Sequence, residues 1–318
     1  TPMRMNRLGN SDLVVSAVGA GTWAMGGDFF GAIDDKKCID SLCASLDHGV
    51  NLIDTAPIYG KGHSETLVGQ AIKGRRDKVV LCTKVGLLFD DPKGRQGKCL
   101  QPDSIEYEIE QSLRRLGTDY IDLYQIHWPD VNTPIEETME ALLRIQKAGK
   151  VRYLGVSNFD VPLLERTLRC GAIVSTQPQY SLLDREIEAD VLPFCREHNI
   201  GVLSYGSLGA GILTGKFKEP PKPEAGDKRA NFYPFFSEPF WSKTQELLKT
   251  LRAIAEEHGK PVTHVSINWV SQQKGMTCAL TGSKNVDQAI MNAAAGDWDL
   301  SAEELARIDA AYDRIFRE

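Results

Sequence analysis

Between Asn51 and Tyr59 a short apolar run ends in a carboxylate, Asp54, and five residues later the chain presents a phenol, Tyr59. Pro57 and the glycines Gly60 and Gly62 oppose helix continuation, so Asn51–Thr55 reads as a buried strand ending in a turn. A charge at the tip of such a strand needs a reason. Lys84 ends the next predicted strand and His127 follows the one after it. A phenol with an ordinary pKa of about 10 is a poor acid at neutral pH, and a nearby ammonium lowers that value by stabilising the phenolate. Lys84 can supply the ammonium, and Asp54 can keep a buried Lys84 protonated and in place. Tyr59 then becomes a tuned proton donor: it protonates a carbonyl oxygen that His127 orients, while a nucleophile attacks the carbon. Each residue also has a bland reading, Asp54 as a turn or cap, Lys84 as a solvated strand end, His127 as a core histidine. Their recurrence with Asn158, Gln177 and Tyr205 at predicted strand ends is what points to a site.

The elements that must position these residues alternate along the chain. Strands are expected at Ser16–Gly21, Asn51–Thr55, Asp77–Lys84, Tyr120–Ile126, Val151–Val156, Ile173–Gln177, Gly201–Tyr205 and Thr277–Thr281. Helical periodicity follows each one, with apolar faces such as Cys38, Ile39, Leu42 and Leu46, or Ile105, Ile109, Leu113 and Leu116. Eight such units without a composition shift predict a (β/α)8 barrel, in which the strand ends converge on one mouth. Residues 1–318 are expected to form this one domain, with an N-terminal β-hairpin turning at Asn10-Ser11 and extra C-terminal helices. Gly19-x-Gly21-x-x-Ala24 matches a relaxed dinucleotide fingerprint, but Met25 to Gly31 reads as a loop where that motif needs a helix. The Gly- and Pro-rich stretch Gly209–Ser237 is too long for an ordinary connection and reads as a functional loop.

Composition narrows the partners. A net charge of −6 and a sequence pI near 5.6 give no long-range attraction for nucleic acid or anionic lipid. No apolar run is long enough for a membrane helix and Thr1 to Asn10 lacks an apolar signal region, so a cytoplasmic protein is expected. The seven cysteines are an odd, dispersed set without a C-x-x-C pair, and the six histidines show no metal spacing. Neither disulfides nor a metal is expected.

Several motifs together resemble the aldo-keto reductases over nearly the whole chain. They are Gly21-Thr22-Trp23, Asp54-Thr55-Ala56-x-x-Tyr59-Gly60, Thr83-Lys84, Asp119-Tyr120-Ile121-Asp122-Leu123, Ile126-His127-Trp128-Pro129, Gly149-Lys150-Val151-Arg152 and Gly155-Val156-Ser157-Asn158-Phe159. Within that family, His127-Trp128-Pro129-Asp130, Pro134-Ile135-Glu136-Glu137-Thr138 and Tyr205-Gly206-Ser207-Leu208 are similar to the bacterial general-stress branch of NADPH-dependent reductases.

The resemblance implies reversible reduction of aldehydes, ketones or sugar carbonyls by hydride transfer from a nicotinamide. It makes Tyr59 the general acid, Lys84 and Asp54 its tuners and His127 the carbonyl-orienting group. Ser157, Asn158 and Gln177 would bind the nicotinamide carboxamide and Tyr205 would stack on the ring, and Thr22 and Trp23 would also contact the cofactor. Gln179 is a rival to Gln177, because side chains two apart share a strand face. Gly206, Ser207, Leu208, Gly211 and Lys216 resemble the pyrophosphate loop. Gly282, Ser283, Lys284, Gln288 and Asn292 would form the last cofactor cluster, Ser283 and Lys284 facing the adenosine 2′-phosphate, with the helix starting at Asp287 adding its dipole and Arg229 of the long loop a further cation.

Many members carry arginine where this chain has Gln288, which weakens strict NADPH preference. NADP(H) is expected to be preferred, with NAD(H) open. Trp23, Tyr59, His127, Trp128 and the loops Gly86–Lys98 and Phe232–Phe236 would line the substrate pocket, although loop aromatics also serve as packing. A monomer is expected by analogy. Two other functions fit parts of the pattern: a Schiff-base aldolase using Lys84, and a non-enzymatic cofactor-sensing subunit such as those of potassium channels.

Overall fold

The computed structural model describes residues 2–27, 33–221 and 228–318. Short apolar runs form the strands β1 (Met5–Arg7), β2 (Val14–Ser16), β3 (Val18–Gly21), β4 (Leu52–Asp54), β5 (Val80–Val85), β6 (Leu87–Leu88), β7 (Gly97–Lys98), β8 (Ile121–Ile126), β9 (Val151–Ser157), β10 (Ser175–Gln177), β11 (Gly201–Ser204) and β12 (Cys278–Gly282). Eight of them, β3, β4, β5, β8, β9, β10, β11 and β12, pair in that order and close on themselves, every pairing parallel. All eight predicted strands are therefore barrel strands.

Parallel neighbours need crossovers, and helices supply them. These are α1 (Asp35–Asp47), α2 (His63–Ala71), α3 (Pro102–Leu116), α4 (Ile135–Lys147), α5 (Val161–Cys170), α6 (Val191–Glu197), α7 (Arg229–Phe232), α8 (Phe240–His258), α9 (Val262–Ser271), α10 (Val286–Ala294) and α11 (Ala302–Phe316). Their ends carry the expected signals: Asp34 caps α1 by accepting from Lys37 N, Gly117 ends α3 in a left-handed conformation, and Ser301 with Glu304 forms a capping box on α11. α8 and α11 are the additional C-terminal helices and pack on each other.

Strands β1 and β2 form the predicted antiparallel hairpin, with Leu8 N donating to Leu13 O across its turn. Leu8, Leu13 and Val15 plug the N-terminal end of the barrel against Leu52, Cys82, Leu123, Val174, Leu203, Cys278 and Leu280. Gly9 sits at φ 51°, where a side chain would run into the Val174 carbonyl. Because strand side chains alternate, residues two positions on from this apolar layer also point inward, toward the other mouth. Leu52 is thus followed by Asp54, Cys82 by Lys84, and Leu123 by Gln125.

Two loops differ in detail from expectation. Trp23–Gly26 forms a single 3-10 turn within the loop predicted from Met25 to Gly31, of which residues 28–31 lie outside the described residues. The Gly86–Lys98 segment contains the small β6–β7 hairpin, too short to leave an alternation in the sequence. Residues 222–227 of the Gly209–Ser237 stretch lie outside the described residues.

Candidate active site

Strand parity brings Asp54 and Lys84 into one buried layer, each no more than 2% exposed. The Lys84 ammonium donates to Asp54 Oδ2 at 2.6 Å, to the Thr55 carbonyl at 3.1 Å and to the Tyr59 hydroxyl at 3.2 Å. Three donors thus meet three acceptors, and the lysine has no proton left unused. The turn after β4 holds Tyr59 in place, with Tyr59 N donating to Ala56 O and Gly62 N to Pro57 O. His127 follows β8, its backbone N bonded to Val85 O, and its ring meets Tyr59 edge-on at 5.9 Å between centroids. No hydrogen bond reaches either ring nitrogen of His127 among the described residues, so the ring can bind an incoming oxygen.

The electrostatics confirm part of the expected tuning and correct the rest. Burial by itself would lower the Lys84 pKa, but the charge of Asp54, with Tyr59 and the hydrogen bonds to both, holds it above the usual lysine range. Lys84 therefore stays an ammonium. Burial pushes the Tyr59 hydroxyl above its ordinary value; Lys84 pulls it down and the Asp54 charge pushes it up again. The expected net lowering is not found, because loss of water outweighs the ammonium and the Asp54 charge opposes it. Burial, then the Lys84 charge, holds His127 well below its usual value, so it is neutral.

Gln125, absent from the expected set, completes the layer. Its Nε2 donates to Asp54 Oδ1 at 2.9 Å, and Gln177 Nε2 donates to the same oxygen at 3.0 Å. The missed signal was a polar residue two positions before His127, at the same parity as Leu123, which faces the barrel interior. Above this layer, Ser157 Oγ donates to the Gln177 carbonyl at 2.5 Å. Asn158 Nδ2 donates to the His127 carbonyl at 3.0 Å, and the Tyr205 hydroxyl donates to Asn158 Oδ1 at 2.7 Å. Asp54, Tyr59, Lys84, His127, Ser157, Asn158, Gln177 and Tyr205 form one connected group. Gln179 turns away from it, bridging to Tyr205 through the backbone and lying against Gly206.

The sequence profile described as the aldo/keto reductase family matches residues 17–313, which spans every element of this group. The chain belongs to that family. This aldo-keto reductase is 40% identical to aldo-keto reductase YhdN of Bacillus subtilis, over 99% of this chain and 96% of the relative. It is 36% identical to the NADH-specific methylglyoxal reductase of Escherichia coli, over 94% of this chain and 95% of that one. The solved structure of glycerol dehydrogenase AKR11B4 from Gluconobacter oxydans superposes with a TM-score of 0.89 at 37% identity, covering 99% of this chain and 96% of that one.

The remaining expected residues of this aldo-keto reductase lie on the segments after β3, β11 and β12. Thr22, buried, donates to the Asp54 carbonyl and accepts from Ser64 at its own carbonyl, so it ties β3 to β4. After β11 the backbone takes positive φ at Gly206, Gly209, Ala210 and Gly211, and Gly209 N and Gly211 N donate to Gly206 O and Leu208 O within this winding. Ser207 is fixed beneath it by Ser204, Leu208 packs on the core, and Arg229 Nη1 donates to Ala210 O at 3.1 Å. Lys216 lies over the Phe217 ring. After β12, Asn292 Nδ2 donates to Gly282 O, Lys284 N donates to Gln288 Oε1, and Ser283 Oγ donates to Ser41 Oγ.

Among the pocket candidates, Lys98 sits over the Trp128 ring at 4.8 Å, and Trp23 is half-buried in its 3-10 turn. Asp130 accepts from Leu100 N and Thr133 Oγ1, binding the loop after β8 to the segment after β7. Phe235 and Phe236 are buried as packing, whereas Phe232 is 65% exposed. No helix among the described residues is long and apolar enough to cross a membrane.

Proposed function

We propose that this aldo-keto reductase reduces small aldehydes and ketones with NADPH in preference to NADH, Tyr59 donating the proton. The observation that carries this reading is the Lys84 ammonium bonded at once to Asp54 and to the Tyr59 hydroxyl, beside a neutral His127. A neutral imidazole can donate its N–H to a carbonyl oxygen without competing with Tyr59 for the role of acid. As charge develops on that oxygen, the Tyr59 proton moves to it and Lys84 stabilises the phenolate left behind. A Schiff base at Lys84 would need the neutral amine, which Asp54 and Tyr59 disfavour.

Unsatisfied atoms at the mouth fit a nicotinamide. Gln177 Oε1 accepts no hydrogen bond among the described residues, and it lies beside Asn158 and Ser157, which suit a carboxamide. Tyr205, anchored at its hydroxyl, offers a ring face for stacking. When bound, the nicotinamide supplies the hydride. The wound backbone from Gly206 to Gly211 suits a pyrophosphate, and Ser283 with Lys284 at the start of α10 suits a 2′-phosphate. The NADH-specific relative shows why the phosphate preference needs its own test.

The deciding experiment pairs Tyr59→Phe with a substrate panel. The variant should bind NADPH within about twofold of wild type while kcat on a good aldehyde falls by about 100-fold or more, the range typical of losing a general acid. Equal activity in Tyr59→Phe would sink the assignment. The panel, run with both cofactors and scored by kcat/KM, names the substrate class.

A further inference from the structure

Gln125 lies entirely buried, so it touches neither cofactor nor substrate, yet each end of its amide is committed. Its Nε2 donates to Asp54 Oδ1 at 2.9 Å and, more weakly, to the Thr83 carbonyl at 3.4 Å. Its Oε1 accepts from Gln177 Nε2 at 2.9 Å. The orientation is dictated by chemistry: paired with Lys84, the Asp54 carboxylate only accepts, so the amino end of each amide must face it. Gln177 therefore spends its N–H groups on Asp54 and on Gln125, which leaves Oε1 as the atom available at the mouth. Flipping the Gln177 amide would set its oxygen against two acceptors and lose both bonds.

We propose that Gln125 is a positioning residue: it locks the Gln177 amide with its oxygen toward the cofactor and shares the charge of Asp54 with Lys84. This rests on the reading of Tyr59 as acid and of Gln177 as a nicotinamide ligand. Through Asp54 the same amide sets how much of the Lys84 field reaches Tyr59. The other titratable groups around this centre are His127 at the end of β8, Tyr205 after β11, Cys82 on β5 and Cys278 on β12; burial holds all three of the hydroxyl and thiol groups protonated at neutral pH. None of them replaces the lost donor, because none bonds to Asp54.

Without the Gln125 donor the Asp54 charge draws harder on Lys84, and the phenolate of Tyr59 is less stabilised. In Gln125→Met, which keeps the volume, the rising limb of alcohol oxidation against pH should move up by about half a unit or more, as expected when a charge-assisted hydrogen bond is removed from a coupled site. The NADPH dissociation constant should rise several-fold, because Gln177 then keeps only its bond to Asp54 and its amide is held less firmly. A space-filling role would move neither. A folded Gln125→Met enzyme with an unmoved limb and an unchanged dissociation constant overturns the proposal, and leaves the Tyr59 reading intact so long as Tyr59→Phe is inactive.

A second measurement covers a Met variant that does not fold. In wild-type enzyme labelled with 15N at glutamine, the Gln125 side-chain amide signals, assigned through their correlations to the Gln125 backbone, should shift when NADPH is added, relayed through Gln177. Signals that stay put in the NADPH-saturated enzyme overturn the proposal. This readout needs no turnover, so it separates failure of the relay from failure of the catalytic reading.

Discussion

The Tyr205 hydroxyl donates to Asn158 Oδ1 at 2.7 Å, joining the ends of two barrel strands across 47 sequence positions. Asn158 stands at φ 63°, a left-handed conformation that asparagine tolerates better than most residues. From there its amide nitrogen holds the backbone of His127. One side chain thus fixes both the ring proposed to stack on the cofactor and the group proposed to orient the substrate.

Replacing Tyr205 with Phe removes that anchor and keeps the ring. A neutral hydrogen bond of this kind contributes about 1 kcal/mol, so NADPH affinity should fall roughly fivefold. Quenching of protein fluorescence on titration with NADPH measures it. An unchanged dissociation constant would mean that packing alone holds the ring.

The pH dependence follows from the directions of two shifts. Tyr59 is raised above its ordinary value, so it remains a protonated acid throughout the neutral range, and reduction should decline only above the usual tyrosine pKa of about 10. Oxidation of the alcohol needs the opposite form, the phenolate, so it should climb with pH and reach no plateau below pH of about 10. His127 titrates well below its ordinary value and adds no transition near pH of about 6.5. Profiles of kcat/KM in both directions test this; a reduction rate already halved at neutral pH by Tyr59 ionisation would contradict it.

The proposed preference for NADPH rests on the segment after β12. Gln288 Oε1 is occupied by the Lys284 backbone N–H, so the residue standing in the family's arginine position spends its acceptor on the turn. Lys284 is the cation proposed to meet the 2′-phosphate. In Lys284→Met the NADPH dissociation constant should rise about tenfold, in line with loss of a charged phosphate contact, while that for NADH changes less than about twofold. Parallel titrations with the two cofactors decide it, and an unaltered ratio removes Lys284 from the phosphate site.

What was legible in the sequence was whatever depends on strand ends. Asp54, Lys84, His127, Asn158 and Gln177 stand out because a polar residue terminating an apolar run is conspicuous, and eight such runs admit few closed arrangements. Gln125 escaped because it lies inside a run, where only parity, read after the register of β8 is known, shows that it faces Asp54. The direction of the Tyr59 shift escaped for another reason. Residue types announce that an ammonium is near a phenol, but the balance between its field, the opposing Asp54 charge and lost hydration depends on depths that sequence does not contain. The β6–β7 hairpin, two residues a side, has too short a period to register.

Next to Lys84 the strand is braced by an ion pair between a buried carboxylate and a partly exposed arginine. Glu65 on α2 is fully buried; it accepts from Arg115 Nε at 2.7 Å and from Thr83 Oγ1, next to Lys84 in the chain, at 2.7 Å. Arg115→Met removes the cation and leaves the carboxylate in a dry site with one neutral donor. Breaking a buried pair from one side costs about 3–5 kcal/mol, whereas replacing both partners with apolar groups costs much less. Urea unfolding should therefore show Arg115→Met strongly destabilised and the double variant Arg115→Met with Glu65→Leu partly recovered. The two should also differ at the site: Thr83 loses its acceptor only in the double variant, so that enzyme should regain stability without regaining full kcat. A double variant as unstable as the single one would show that Glu65 holds β5 through Thr83 more than through Arg115.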